Sequence, residues 1–356
     1  YDIKGVQALK EGTGSPEDVG VEALDARTVR IHSQGGPAPH IPALLAYQAA
    51  IPVPKHKAEA DPEHWADTVE GFLSSGPLQL VRWDHNQRME WEPNPHYNGP
   101  HKPGIQRVVM MIGAPGTLWF NTWLNKEVDL IEILQPQEVA QIQADDALKP
   151  LLHSFNNFQT EYLALDTMNP PLDNLKLRQA LSHAIDRETL CTQVMNGTRV
   201  PAYSMLPPGF PAYNPELQSV QAYDVERAKT LLAEAGYPDG RDSSGNQLTL
   251  DMYSNGREVV MEYVKEQWER NLGISVNLQV LENAVWGQRR SEHAMQIYKG
   301  PYEYDYLDPA NLLTSLWRSV DDKGSPRHSW KNERFDELVT QAGREVDETK
   351  RIATYQ

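Results

Sequence analysis

The sequence predicts an α/β protein, and three observations carry the prediction. Beyond Pro207-Pro208, helical and extended patterns alternate, as they do where helices bridge parallel strand pairs. Up to about Asn98, short alternating pieces lie between prolines and glycines, which reads as β-rich structure. A chain of 356 residues, 40% hydrophobic and 23% charged, buries a large core and is expected to divide into two domains.

Taken in order, Thr28 to His32 and Leu78 to Trp83 read as strands, and Gly76-Pro77, Asn94-Pro95 and Gly99-Pro100 as turns. Arg107 to Ile112 reads as a buried strand. Thr117 to Asn125 reads as a helix whose Trp119, Phe120, Trp123 and Leu124 mark packing. After Pro170-Pro171 a long helix is expected: Asp173 or Asn174 caps it, Leu177, Leu181, Ala184, Ile185 and Val194 keep helical spacing, and Gly197 ends it. Cys191 falls inside that helix as a packed, inert thiol. Asp224 caps a further helix with Ala228, Leu231, Leu232 and Ala235 on one face, closed by Gly236 and Pro238. Then follow a strand at Leu248 to Tyr253, a helix at Glu258 to Asn271, a strand at Ile274 to Leu281, a helix at Ala284 to His293 and a strand at Met295 to Lys299.

Composition narrows the function. A net charge of -16 opposes binding to nucleic acid or to anionic membranes, which needs a basic surface to displace counterions. The single cysteine excludes an internal disulfide framework and multi-cysteine metal sites. No apolar run reaches the ~18 residues needed to span a bilayer. The chain opens at YDIKGV without a signal peptide, which leaves room for an export signal removed beforehand.

The densest chemistry lies in Gly300 to Leu313, GPYEYDYLDPANLL, directly behind the last expected strand. Ligands of such sheets bind beyond the carboxyl ends of the strands, where the loops converge. A carboxylate at Asp305, set among Tyr302, Tyr304 and Tyr306, can pair with a ligand ammonium while the rings exclude water. Equally, Asp308-Pro309 can simply start the next helix and Asp305 can be a solvated loop charge. Trp286, opening the helix before the Met295 strand, either lines a pocket or packs in the core.

Several longer stretches carry a family resemblance. YLALDTMNPPLDNLKLRQALSHAIDRETL (162 to 190), VPAYSMLPPGFPAY (200 to 213), AKTLLAEAGYPDG (228 to 240) and YDYLDPANLL (304 to 313) resemble the family 5 bacterial extracellular solute-binding proteins. SSGPLQLVRWDHNQRMEWEPNPHYNGP (74 to 100) is similar to the family's segment of Gly-Pro, a strand and an Asn-Pro-x-Tyr turn. The resemblance runs over nearly the whole chain in the family's order.

It implies a periplasmic-binding-protein-like fold of class II, cluster C type, whose two lobes of mixed sheets are joined by a hinge and close on a ligand. It implies that residues 1–155 are the middle part of domain I, with the end of domain II at their start. Residues 156–356 would be domain III without its C-terminal end. An N-terminal portion, most of domain II and the return to domain I would lie outside this sequence. The implied role is that of a receptor of an ABC importer that captures peptides, oligopeptides above all, and delivers them to a membrane permease. Oligosaccharides, opines and metal chelates are the family's other ligands. The expected protein is a periplasmic or extracellular monomer, with a lipid anchor to the membrane surface left open, that takes no cofactor and no metal.

By the same resemblance, Asp305 aligns with the aspartate that pairs with a peptide's terminal amine, and Tyr302 fills the aromatic position three residues earlier. Met252 stands where dipeptide-binding relatives carry an arginine for the ligand carboxylate, which argues against strict dipeptide specificity. Lys299 holds a position that is basic in oligopeptide binders and is a weaker candidate contact; a solvated strand end is the plain alternative.

Catalytic signatures are absent. The sequence has no HExxH, GxSxG, P-loop or GxGxxG, and His96 and His101 stand at no defined metal spacing. Glu303, Asp305 and Asp308 imitate a glycosidase carboxylate pair, but such spacing on one loop is common without catalysis. No catalytic residue is assigned.

Overall fold

Strands β1 (Val21–Ala23) and β2 (Val29–Ile31) form a two-stranded antiparallel ladder. Strands β3 (Leu78–Asp84), β4 (Arg88–Pro93) and β5 (Val108–Met111) form an antiparallel sheet in that order. Strands β6 (Gln159–Leu165), β7 (Thr249–Ser254), β8 (Ser275–Val280) and β9 (Ile297–Glu303) form a third sheet in the order β6-β9-β7-β8. This computed structural model describes residues 3–113, 117–256, 258–320, 324–325 and 329–356. By contacts the chain divides into two units, Tyr1–Ala49 with Ile142–Gln356, and Ala50–Gln141.

In the larger unit the expected alternation is present. Strand β7 pairs in parallel with both β8 and β9, while β6 joins the far edge of β9 antiparallel. Parallel neighbours require crossover connections. The Val259–Leu272 helix joins β7 to β8, and the Asn283–Ser291 helix joins β8 to β9. Because side chains alternate along a strand, β7 sends Leu250 and Met252 into one core with Met261, Val264 and Trp268 of the first helix. It sends Tyr253 into a second cluster with Tyr298 and Trp286, the latter from the second helix. The sheet is thus covered on both faces. Gly273 ends the first helix in the left-handed region at φ 69°. A Cβ on neighbouring Gly240 would sit 2.5 Å from the Gly273 carbonyl oxygen, so the two turns meet backbone to backbone.

The helix expected after Pro170-Pro171 starts as read, with Asn174 accepting from the Lys176 and Leu177 amides, but it is interrupted. It runs over Leu175–His183, and Asp186 then starts a new turn by accepting from the Thr189 amide. The carbonyls freed by the break find side-chain donors. Arg187 donates to the Ser182 and Ile185 carbonyls, Asn271 to that of Ala184 at 2.9 Å, and Trp268 to that of Leu181 at 2.8 Å. Cys191 lies beyond the break, in a π-helical turn at Leu190–Val194, and is buried.

In the smaller unit, β5 corrects an expectation: Val109, Met110 and Met111 are exposed on an edge strand rather than buried. The helix at Thr117–Leu124 buries Phe120 and leaves Trp119 and Trp123 half-buried. The first 98 residues are less β-rich than their sequence pattern implies: β1 to β4 are present, but helical turns at Val6–Lys10, Ile41–Leu45 and Lys55–Ala58 and 3-10 turns at Pro16–Asp18 and Gln48–Ala50 take as large a share.

Candidate ligand site

Strand β9 runs further than its sequence pattern implies, through Gly300 and Pro301 to Glu303, so Tyr302 and Glu303 are strand residues and the acidic loop begins at Tyr304. Two local features permit this. The Tyr162 ring on β6 crosses Gly300, where an added Cβ would sit 2.7 Å from it. Pro301 lies beyond the β7 pairing, which is confined to Ile297 and Tyr298, so its missing N–H removes nothing on that side.

Asn311 gathers the next residues. Its side chain is buried; Oδ1 accepts from the Tyr302 hydroxyl at 3.0 Å and from the Asp305 amide at 3.1 Å, while Nδ2 donates to Asp305 Oδ2 at 3.2 Å. Asp305 is exposed at the carboxyl end of β9. The Tyr302 and Tyr304 rings meet edge to face with centroids 5.4 Å apart. Tyr304 donates its hydroxyl to the Met205 carbonyl at 2.7 Å and packs on Phe210, and burial pushes its phenol well above the usual range. Tyr306 stands apart from this group, its ring stacked over buried His40 at 6.5 Å.

Asp308 does start a helix, as the plainer reading has it: its Oδ1 accepts from the Ala310 amide at 2.9 Å. It is also buried and paired with Arg351. Asp308 is therefore committed inside the fold and is no free member of the carboxylate group read from this loop.

Lys299 lies on the opposite face of β9 from Tyr302. It is no solvated strand end: the side chain is 18% exposed and its ammonium sits between Glu258 and, at 3.6 Å, Glu161. Trp286 packs edge to face on Tyr298 at 6.0 Å with the Arg290 guanidinium 4.5 Å from its ring centroid. Met252 is wholly buried on β7. Tyr302, Tyr304 and Asp305 thus come together, whereas Lys299, Trp286 and Tyr306 have other neighbours. Asn311 and Arg351 are missed by sequence reasoning, because neither periodicity nor spacing marks a residue whose partners lie across a turn or a distant helix.

The chain matches the model described as bacterial extracellular solute-binding proteins, family 5 Middle, over residues 2–324. It belongs to that family. The family member is 25% identical to the oligopeptide-binding protein OppA of Bacillus subtilis over 99% of its own length and 65% of that protein's. It is 27% identical to the probable deoxycholate-binding periplasmic protein YgiS of Escherichia coli, over 99% of its own length and 65% of the other's. It therefore spans just under two thirds of these relatives. The periplasmic oligopeptide-binding protein OppAIV of Borrelia burgdorferi, a solved structure, superimposes with a TM-score of 0.75 at 27% identity, covering 99% of this chain and 69% of that one. The fold is thus that of the periplasmic binding proteins, and these relatives are binding proteins rather than enzymes. The family is extracellular by its description. Among the described residues no helix is long and apolar enough to cross a membrane.

Proposed function

We propose that the chain is the ligand-capturing portion of an ABC-importer receptor that takes a peptide by its free amino terminus and delivers it to a membrane permease. The observation that carries this reading is Asp305: an exposed carboxylate at the carboxyl end of a sheet strand, held by Asn311 beside the Tyr302 and Tyr304 rings. A carboxylate in that setting forms a charge-assisted pair with an ammonium group, and neighbouring rings favour the same cation. Peptide backbone is the natural remainder of such a ligand, since an extended chain pairs with strand and loop edges without regard to its side chains.

Met252 in the core offers no cation for a dipeptide's carboxylate, so longer peptides are the preferred class. Residues 1–155 would be the middle part of the family's first domain and residues 156–356 its third. Ligand would select a closed conformation of the whole protein, and that conformation is what the permease reads. The receptor works as a monomer, in the periplasm or at the cell surface, where a lipid anchor is one means of retention.

Native mass spectrometry of the protein as isolated, followed by denaturation and sequencing of released small molecules, tests this. A ladder of mixed peptides is the expected result. A single sugar, opine, metal chelate or steroid mass would keep the fold and overturn the ligand.

A further inference from the structure

We infer that Asn311 is a positioning residue: its side-chain amide fixes the Asp305 carboxylate in the orientation that receives a ligand's amino group. The inference rests on the peptide-receptor reading and adds to it a residue that does not itself contact ligand.

Asn311 is 3% exposed, and a buried amide has one acceptor oxygen and two donors to satisfy. The oxygen accepts from the Asp305 backbone N–H, which can only donate, and shares the Tyr302 hydroxyl with the Asn311 main-chain carbonyl. The nitrogen must then face the carboxylate, and it does, at Oδ2. The amide can be turned over only by setting its NH₂ against a backbone N–H and its oxygen against a carboxylate, which the arrangement forbids. Its orientation is therefore dictated by its partners.

Consequences for Asp305 follow. The residue is exposed on a loop, where a carboxylate ordinarily samples several rotamers. Asn311 grips it at two points, the backbone N–H and one carboxylate oxygen, which leaves Oδ1 without a hydrogen-bond partner among the described residues. The same amide ties that carboxylate to Tyr302, the ring nearest in sequence on β9. Asn311 is anchored in turn, because its short helix at Ala310–Leu312 begins on Asp308, which Arg351 holds. A carboxylate fixed before the ligand arrives spares the ordering that binding would otherwise require.

The test compares trialanine with N-acetyl-trialanine, using wild type, Asn311→Ala and Asn311→Ser. Loss of fold lowers the amount of competent protein and both titration amplitudes together; loss of positioning lowers the preference for the free amine. Wild type is expected to prefer trialanine by about tenfold or more, and both variants to reduce that preference several-fold while their thermal unfolding remains cooperative. Asn311→Ser keeps a buried hydroxyl but is too short to reach Asp305, so it serves should the alanine variant not fold. A wild-type preference that persists unchanged in the variants overturns the role of Asn311 and leaves the receptor reading intact. Absence of any preference in wild type overturns both.

Discussion

Asp308 and Arg351, 43 residues apart in sequence, form a buried ion pair that ties the Glu348–Tyr355 helix to the turn following Asp305. Their side chains are only 6% and 12% exposed, so water screens the pair little. Asp308 spends its other oxygen on the Ala310 amide, which starts the short helix carrying Asn311. The site loop is thereby held from its far end.

Removing one partner of such a pair leaves the other charge stranded, a change that costs about 3–5 kcal/mol. Arg351→Ala is expected to lower stability by about that amount in urea unfolding. The double variant Asp308→Asn with Arg351→Met should recover much of the loss, since asparagine still accepts from the Ala310 amide. Equal losses in the single and double variants would show that the pair is not what holds the loop.

Glu90 supplies a pH-dependent counterpart in the smaller unit. This buried carboxylate faces Arg107, Arg88 at 3.3 Å and Arg82 at 3.6 Å, and the hydrogen bond from Arg107 is the largest cause holding its pKa below the usual value. A lowered folded pKa means that the unfolded chain binds the proton more readily. The stabilisation is thus present above the unfolded value of about 4.3 and is lost as pH falls through the folded one. Wild type should exceed Glu90→Gln in stability at pH 7, and the gap should begin to narrow as pH drops below about 4. Denaturant titrations at pH 7 and pH 3.5 measure this, and a gap independent of pH would contradict it.

Burial pushes the Cys191 thiol up to about 11. At pH 8 the folded protein then carries far less thiolate than the unfolded chain, whose thiol titrates near 8.5. Maleimide labelling of native protein at pH 8 should be roughly a hundredfold slower than in denaturant. Comparable rates would mean that the turn at Leu190–Val194 opens readily.

The parts of the fold that were legible in the sequence are those set by local chemistry. Asp224 and Asn174 announced their helices because a short acceptor side chain satisfies amides two or three residues on. The β7 to β9 alternation was legible because both faces of a covered sheet must be apolar. What failed needed partners far along the chain. Gly300-Pro301 reads as an end, and only the Tyr162 ring and the limited β7 pairing show why the strand continues. The break after His183 depends on Arg187, Trp268 and Asn271, two of which lie more than eighty residues away. At the site, Asp305 with Tyr302 and Tyr304 was readable as a cluster, whereas the commitment of Lys299 to Glu161 and Glu258 was not, since each of those carboxylates lies on another element.

Whether Asp305 receives a ligand's amino group is read by calorimetric titration of trialanine into wild type and Asp305→Ala. Hydrogen bonds to charged groups contribute about 1.5–3 kcal/mol, so affinity should weaken by roughly ten- to a hundredfold in a variant that unfolds at an unchanged temperature. Equal affinity in the two proteins would contradict it.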